Sequence, residues 1–445
     1  MSEIKRILEQ LRDYESRNVT FVESDGSWPI VWERAKGVHV WDAEGKKYLD
    51  LTAAFGVAAA GHANPRVVEA GQEQLAKLPH AMGDVHPHAR KAELAQELSR
   101  ITFERWSSDL MARPVAGKPE NQKPKLLTGK TIFCNSGFEA VEAALKTAML
   151  TGGKYGVIAF QGGYHGLGYG ALNVTHREHF RSPFRLQLRE FGHFVPFPVK
   201  PSDLAITETL MRRHFQRGWV GAVLVEPIQA RGGILVPPPE FLSLLRRLCD
   251  EHKALLVLDE IYTGFGRTGK WFACEHSGVV PDIICLGKAL TGGFPLAACV
   301  GRAEVMDAAW PISRGEAIHT STFLGNPVGC AMALAQIAEI EKAKLPERSA
   351  KLGEGLLEAL RNVNVSGLTL QARGQGLMAG LELKSNGAPA TEKSLHIIKT
   401  MLHRGFILLP EGEHSNVISF TPPLTITKAQ LDETIGALNE VLNHR

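Results

Sequence analysis

A lysine in an apolar setting is the first residue whose position suggests chemistry. Lys288 follows the apolar run DIICL and stands between the small residues Gly287 and Ala289. Burial disfavours the charged form of an amine and lowers its pKa, so a neutral amine becomes available to form a Schiff base. A lysine whose stem covers apolar surface while its ammonium reaches water explains the same pattern. Lys288 is therefore a candidate that needs support from other residues.

An acid at the end of a predicted strand gives that support. Asp259 follows the apolar run LLVL, and ligands of open α/β sheets gather at the carboxyl ends of the strands. A buried carboxylate needs a cationic partner, and the protonated ring nitrogen of pyridoxal phosphate (PLP) is one. PLP enzymes combine such an acid with a lysine Schiff base. Taken alone, Asp259 is explained equally well as a helix N-cap or as an ion pair with Arg267.

Three further segments carry weaker signals. Ser136 and Gly137 end a strand and open an amphipathic helix, where free N–H groups and the helix dipole favour a phosphate. Tyr164 and His165 lie in the glycine-rich turn QGGYHG, where an aromatic ring can stack on a flat heterocycle. Thr322, in HTSTFLGNP, offers a hydroxyl. Each feature is common in proteins for purely structural reasons.

The segments around these residues alternate between two patterns. Apolar runs such as YGVIAFQG, GAVLVEPI, ALLVLDEI and PDIICLG are separated by helical segments such as GFEAVEAALKTAML and PPEFLSLLRRLCDEHK. Continuous apolar strands interleaved with helices predict an α/β fold with a mainly parallel central sheet flanked by helices. We predict a large domain at about 65–330 and a small α+β domain formed by 1–64 and 331–445.

Composition limits the class of protein. The 445 residues include 50 Lys and Arg against 47 Asp and Glu, a net charge of +3, so neither nucleic acid nor an anionic membrane is expected as a partner. No apolar run approaches the roughly 20 residues that cross a bilayer. The six cysteines are scattered and form no CxxC motif, which favours buried free thiols over a metal site or disulfides. We predict a cytoplasmic protein.

Taken in order, these segments resemble the class III aminotransferases, PLP-dependent enzymes of fold type I. No GxSxG, HExxH or Walker motif competes with this interpretation. The resemblance covers nearly the whole chain and is most specific between Leu258 and Leu290. Its motifs are GVHVWDAEGKKYLDL, GHANPRV, NSGFEAVEAALK, YHG, VEPIQ, LDEIYTGFGRTGKWFA, PDIICLGKAL, HTSTFLGNP and FTPPLTIT.

The resemblance implies a role for each matching residue and a homodimer with a shared active site, or a tetramer built from it. Lys288 would form the Schiff base and move the substrate proton, and Asp259 would keep the pyridine nitrogen protonated. The family usually has Thr where this chain has Phe138. The implied cofactor contacts are Ser136, Gly137 and Phe138 at the phosphate, Tyr164 and Ile261 on the ring faces with His165 beside them, Glu226 and Gln229 near the ring hydroxyl, and Thr322 at the phosphate of the neighbouring subunit.

Four positions bear on the substrate. Ser419 stands where many glutamate-using members have an arginine that binds the α-carboxylate, and Leu167 stands where members acting on 4-aminobutyrate or ornithine often have another arginine. Arg231, in QARGG, replaces a family glutamate. We expect Arg231 to bind a substrate carboxylate, the alternative being a surface arginine on a turn. Phe55 would wall the pocket and suit an apolar or long-chain donor, or would simply pack in the core.

The function that the resemblance implies is transfer of an amino group from an ω-amino acid or primary amine to pyruvate or 2-oxoglutarate. The serine at position 419 counts against 2-oxoglutarate. An amino-acid racemase or epimerase, or an aminomutase, would use the same cofactor residues and is the alternative. A binding protein that retains the fold is a third hypothesis, against which the presence of both Lys288 and Asp259 argues.

Overall fold

The protein is described here by a computed structural model that covers residues 2–111 and 127–443. In these residues sixteen strands form three sheets. The strands are β1 (Trp32–Lys36), β2 (His39–Asp42), β3 (Lys47–Asp50), β4 (Gly129–Cys134), β5 (Gly156–Phe160), β6 (Gly192–Val195), β7 (Val220–Val225), β8 (Leu255–Asp259), β9 (Ile283–Leu286), β10 (Ala297–Arg302), β11 (Thr369–Gln375), β12 (Met378–Ser385), β13 (Ala388–Pro389), β14 (Phe406–Ile407), β15 (Leu409–Glu411) and β16 (Val417–Phe420).

The same residues form fifteen α-helical segments, with a short π segment at Arg100–Glu104 and short 3₁₀ segments at Ser182–Gln187, Ala273–His276 and Lys288–Leu290. The segments are α1 (Glu3–Tyr14), α2 (Ala53–Gly56), α3 (Pro65–Lys77), α4 (Ala89–Ser99), α5 (Arg105–Met111), α6 (Gly137–Gly152), α7 (Tyr169–Leu172), α8 (Glu178–Arg181), α9 (Asp203–Gln216), α10 (Phe241–His252), α11 (Ala303–Ala309), α12 (Pro327–Lys342), α13 (Leu345–Arg361), α14 (Thr391–His403) and α15 (Lys428–Asn443).

The central sheet has the strand order β4-β10-β9-β8-β7-β5-β6. The strands from β6 to β9 run parallel, and β10 runs antiparallel to both of its neighbours. Strands β5, β7 and β9 are buried along their whole length, which explains why their sequences are continuously apolar rather than alternating. The predicted fold class, with a mainly parallel sheet flanked by helices, is confirmed.

Helices cover both faces of this sheet because successive strand residues point to opposite sides. On one face, Leu256 and Leu258 of β8 share a core with Leu245 of α10. On the other face, Val257 of β8 packs in a second core that includes Ala144 of α6. This packing fixes β8 and β9, so that their carboxyl ends hold Asp259 and the segment after Leu286 side by side.

Strands from both ends of the chain share a sheet. Strand β14 pairs in parallel with β3, extending the antiparallel set β1-β2-β3, and β11, β12, β13, β15 and β16 form a separate antiparallel sheet. A turn at Ala43–Gly45 joins β2 to β3. The proposed domain boundaries stay a prediction.

The six cysteines are all buried and unpaired, as the sequence predicts. Within the described ranges, no helix is long and apolar enough to cross a membrane.

Candidate active site

Lys288 lies just beyond the carboxyl end of β9, in a short 3₁₀ turn. Its backbone has φ of 45°, in the left-handed region that only a few per cent of non-glycine residues adopt. Its Nζ lies 4.1 Å from the centre of the Tyr262 ring. Burial lowers the pKa of the Lys288 amine, although the nearby acids Asp259, Glu226 and Glu411 act in the opposite direction. The site therefore favours the neutral, nucleophilic amine.

Asp259 ends β8 on the neighbouring strand and is buried. Its Oδ2 lies 2.8 Å from Nδ1 of His165, and its Oδ1 accepts a hydrogen bond of 3.1 Å from the Ile261 N–H. These contacts fix the carboxylate and leave it able to accept a further donor. A protonated pyridine nitrogen is such a donor.

The alternative hypothesis that Asp259 forms an ion pair with Arg267 is wrong. The Arg267 guanidinium donates instead to the backbone carbonyls of Leu377 at 2.9 Å and Pro422 at 2.6 Å. Burial lowers the pKa of Arg267 to about 10. Arg267 thus ties the loop after β8 to the C-terminal part of the chain and leaves Asp259 to the site.

The amino end of α6 has the features of a phosphate site. Ser136 stands at the N-cap, and its Oγ is buried without a hydrogen-bond partner among the described residues. A Cβ at position 137 would lie 2.9 Å from the Cδ1 of Ile261, so a larger residue there would have to displace that side chain. The first N–H groups of a helix have no partner within it and attract anions. The residues present therefore fit a phosphate, and the Ser136 hydroxyl has no other evident use.

Phe138 follows in the first turn of α6, where its ring lies against Gly166 and Gly168. A Cβ at Gly166 would lie 2.3 Å from the Phe138 Cβ, and a Cβ at Gly168 would lie 2.5 Å from its ring, so a larger residue at either position would displace Phe138. The ring occupies the place beside the phosphate site where a smaller threonine would leave room.

Glu226 fixes the turn that carries Tyr164. Its Oε1 accepts from the Tyr164 N–H at 2.9 Å, and its Oε2 accepts from the Ala230 N–H at 3.2 Å. The next residue, His165, donates its N–H to Oγ1 of Thr175 at 2.9 Å. Burial raises the pKa of Glu226 to about 7. Tyr164 and His165 are thus held next to Asp259.

Gln229 lies against the same turn. Its Nε2 donates to the Gln161 carbonyl at 2.8 Å, whereas its Oε1 is buried without a partner in the described part of the chain. A Cβ at Gly162 or Gly232 would come within 2.6 Å of this oxygen. The role of Gln229 near the ring hydroxyl stays a prediction.

Charged side chains from three separate segments meet beside Tyr164. The Arg231 guanidinium carbon lies 5.7 Å from the Tyr164 ring centre, and Arg231 Nη1 lies 3.7 Å from Oε2 of Glu411. Arg177 donates to the Arg231 carbonyl. The Arg231 side chain is 35% exposed and Glu411 only 3%, so the pair lies at the edge of the site with its acid buried. Burial raises the pKa of Glu411 to about 7.

Phe55 lies in a left-handed turn, α2. Ala53, Ala54, Phe55 and Gly56 all have positive φ, between 47° and 82°. Phe55 is 53% exposed, so the alternative that it packs in the core is wrong. A Cβ added at Gly56 would lie only 3.0 Å from the Tyr262 ring, which itself lies under Lys288. The turn thus places Phe55 close to the lysine.

Two other predicted residues take different positions. The Ser419 hydroxyl is buried and donates to the Leu409 carbonyl at 3.1 Å, so it binds backbone. Thr322 is exposed. Its neighbour Ser321 accepts a hydrogen bond of 3.3 Å from Nδ2 of Asn135, directly before the phosphate site. The contact of Thr322 with a second subunit stays a prediction.

Sequence reasoning missed Tyr262, Arg177 and Glu411. Tyr262 lies within the LDEIYTGFG motif, and its position three residues after Asp259 could have drawn attention to it. Glu411 is an acid that ends a short apolar run, a weak signal for a buried charge. Nothing in the sequence near Arg177 distinguishes it from a surface arginine.

These features together define a class of protein. A buried lysine and a fixed acid lie at the ends of adjacent strands, and a free hydroxyl marks the anion site at the start of α6. This is the arrangement expected of an α/β enzyme that binds a phosphorylated pyridine aldehyde.

Comparison with known proteins gives the family. Residues 21–442 match the model of the family described as aminotransferase class-III. Over 425 residues the chain is 36% identical to 5-aminovalerate aminotransferase of Pseudomonas aeruginosa, covering 93% of each protein. Over 430 residues it is 37% identical to putrescine aminotransferase of Pectobacterium atrosepticum, covering 95% of this chain and 84% of that protein.

A solved structure agrees. An amine transaminase from an uncultivated Pseudomonas species, in its PLP-bound form, matches with a TM-score of 0.84 at 28% identity, covering 96% of this chain and 98% of that one. The chain therefore belongs to the class III aminotransferases. It is a PLP-dependent transaminase whose substrates are a small-molecule amine and a keto acid. The named relatives support amino transfer and give no support to a racemase or aminomutase.

Proposed function

We propose that the amino donor is a short aliphatic compound with a terminal primary amine, either an ω-amino acid or a diamine. The observation that carries the proposal is Arg231, which lies beside Tyr164 with its guanidinium partly open to solvent. A guanidinium binds a carboxylate through two parallel hydrogen bonds. The relatives that act on 5-aminovalerate and putrescine are both more than a third identical to this chain, which supports the same size of donor.

Each residue has a defined task in this proposal. When bound, PLP supplies the aldehyde that exchanges with the donor amine and the electron-withdrawing ring that acidifies the neighbouring C–H. The Lys288 amine, whose pKa is lowered by burial, would take the proton from the substrate carbon and pass it to the cofactor, which leaves the amino group on the cofactor side. Asp259, oriented by His165, holds a positive charge on the ring nitrogen. Ser136 and the start of α6 hold the phosphate.

Arg231 binds the carboxylate of the keto acid. The same arginine would also meet the carboxylate of an ω-amino acid. Arg231→Ala should therefore raise the KM for the keto acid and for the ω-amino acid, and leave kcat for a primary amine without a carboxylate nearly unchanged. An exposed arginine on α9 gives the control, Arg213→Ala. An unchanged KM for the keto acid in Arg231→Ala would contradict the assignment.

The functional unit in this proposal is a homodimer, and Thr322 of each subunit contacts the phosphate bound by the other. Large apolar side chains are exposed near the phosphate site and in the Thr322 segment, and exposed apolar patches of this kind often mark protein interfaces. These side chains include Phe138, Leu167, Ile318 and Phe323. Light scattering gives the mass in solution, and a monomeric holoenzyme with full activity would contradict the proposal.

The first experiment is a half-reaction screen on the holoenzyme. Each donor is added without a keto acid, and the absorbance of the bound cofactor is followed. The donors are 4-aminobutyrate, 5-aminovalerate, putrescine, benzylic amines and both hands of several α-amino acids. Stable bleaching by terminal amines supports the proposal. Bleaching by α-amino acids alone would overturn it.

The division into lobes belongs to the same proposal, with 65–330 as the cofactor-binding domain and 1–64 plus 331–445 as the small domain. Pairing of β3 with β14 supports this division. The cytoplasmic location, supported by six buried free thiols, also stays a prediction.

A further inference from the structure

Glu411 is a buried acid without hydrogen bonds. It ends β15, and its side chain is 3% exposed. No hydrogen bond to its carboxylate occurs among the described residues, and its Oε2 is completely enclosed. The nearest charge, Nη1 of Arg231, lies 3.7 Å away, beyond hydrogen-bonding distance.

Two other buried glutamates show what such a group normally finds. Glu226 accepts from two backbone N–H groups, as described above. Glu260 accepts from the N–H groups of Ala273 at 2.7 Å and Cys274 at 2.8 Å, and from the Thr263 hydroxyl at 2.8 Å. Since buried carboxylates in proteins are almost always hydrogen-bonded, the free oxygens of Glu411 indicate a donor group that the chain does not supply.

The surroundings place that donor group in the active site. The pKa of Lys288 responds to the charge of Glu411, and the pKa of Glu411 responds to Lys288, Arg231 and Arg177. The Gly412 N–H donates to the Arg231 carbonyl at 3.2 Å, so the end of β15 is tied to the segment that carries Arg231. A carboxylate and a guanidinium thus stand side by side, and the charge of each influences the pKa of the reacting amine.

We propose that Glu411 binds the distal ammonium of an α,ω-diamine donor, while Arg231 binds the distal carboxylate of an ω-amino acid or keto acid. One pocket then accepts chains that end in either charge, and the two side chains face each other when neither charge is present. This inference rests on the proposed function, because it assigns the far end of a donor whose near end reacts at Lys288.

The test compares three donors that share a four-carbon chain and the same reacting amine. Putrescine ends in an ammonium, 4-aminobutyrate in a carboxylate and butylamine in a methyl group. In the holoenzyme, Glu411→Gln should lower kcat/KM for putrescine relative to butylamine by about tenfold or more, since a charge-assisted hydrogen bond is lost. The loss should appear mainly in KM. The ratio for 4-aminobutyrate over butylamine should stay the same or rise.

Two variants provide the matched comparison. Glu413→Gln removes an exposed acid two residues away and should leave all three ratios unchanged. Arg231→Gln should give the opposite pattern to Glu411→Gln, with 4-aminobutyrate losing its advantage and putrescine keeping it. Equal losses for putrescine and butylamine in Glu411→Gln would overturn the inference.

A measurement on the unaltered enzyme keeps the proposal testable if Glu411→Gln does not fold. The carboxylate is neutralised on acidification, in a setting that also contains Arg231, Arg177, Lys288 and Glu226. The preference for putrescine over butylamine should therefore fall as the pH drops below about 7, while their common amine cancels in the ratio. A constant ratio overturns the inference. Failure of every terminal amine to bleach the cofactor would instead refute the proposed function.

Discussion

The two ends of the active site differ in how their charges are satisfied. At the cofactor end, Asp259 is held by His165 and by a backbone N–H, and Glu226 accepts from two N–H groups. At the end that we propose binds the substrate, Arg231 and Glu411 face each other across 3.7 Å, and the acid has no hydrogen bond among the described residues. The first arrangement is rigid and specific to one ligand. The second leaves each charge available to exchange its partner.

This difference suits a transaminase. One cofactor stays bound through the whole cycle, whereas two different substrates must enter and leave the same pocket. A preorganised set of contacts serves the cofactor, because no rearrangement is needed during the reaction. In the function we propose, the Arg231–Glu411 pair serves the substrates, because the charged end of a substrate replaces the partner that each side chain gives up and no buried charge is left uncompensated.

The largest effect should come from the reacting residue of the cofactor end. Lys288→Ala removes both the nucleophile and the proton carrier, and we expect the half-reaction to slow by about 10⁴-fold, the upper end for one acid–base group. Stopped-flow absorbance with the best donor measures this rate. Lys393→Ala, at an exposed position on α14, is the control. A loss below about tenfold would show that this end does not depend on Lys288.

The sequence encodes the two ends of the site in different ways. Lys288, Asp259 and Ser136 each follow an apolar strand, so local periodicity places them at one edge of the sheet. Arg177 and Glu411 reach the site from distant segments, and no local pattern relates them to Arg231. The antiparallel strand β10 was also not predictable from alternation of strands and helices, because the loop that contains Lys288, rather than a helix, joins it to β9.

A smaller effect, in stability, should appear at the substrate end. Burial raises the pKa of Glu411 from 4.5 to about 7, so folding favours its protonated form. The resulting stabilisation is complete below about pH 4.5 and is lost as the pH rises through about 7. Glu411→Gln removes this pH dependence. The free energy of unfolding of the cofactor-free variant, relative to that of the parent, should therefore rise by about 3 kcal/mol between low and neutral pH.

Thermal unfolding of both proteins at several pH values measures that gain. Glu226 and Glu260 also titrate near 7, but they are common to both proteins and cancel in the difference. A difference in Tm that does not change with pH would mean that Glu411 is already paired, and the contrast between the two ends would disappear.

The phosphate site should behave in two ways, depending on the cofactor. Ser136→Ala removes a hydroxyl that would donate to a charged phosphate, so PLP affinity should fall by roughly 10- to 100-fold. Without PLP, the same hydroxyl is buried and unpartnered, so its removal should leave the Tm of the cofactor-free protein unchanged or higher. Absorbance titration and thermal unfolding measure the two quantities. A lower Tm without cofactor would show that Ser136 has a structural partner.

The smallest effect should come from Arg177, which contacts the backbone of Arg231. It donates to the Arg231 carbonyl, and its pKa is lowered by burial and by the charge of Arg231. Arg177→Gln should raise KM for carboxylate substrates by about three- to tenfold, the value of one hydrogen bond, and leave kcat unchanged. Butylamine, which has no carboxylate, should be unaffected, and Arg177→Lys should restore part of the loss. Equal effects on butylamine and 4-aminobutyrate would mean that Arg177 supports the whole site, so that the substrate end is as firmly built as the cofactor end.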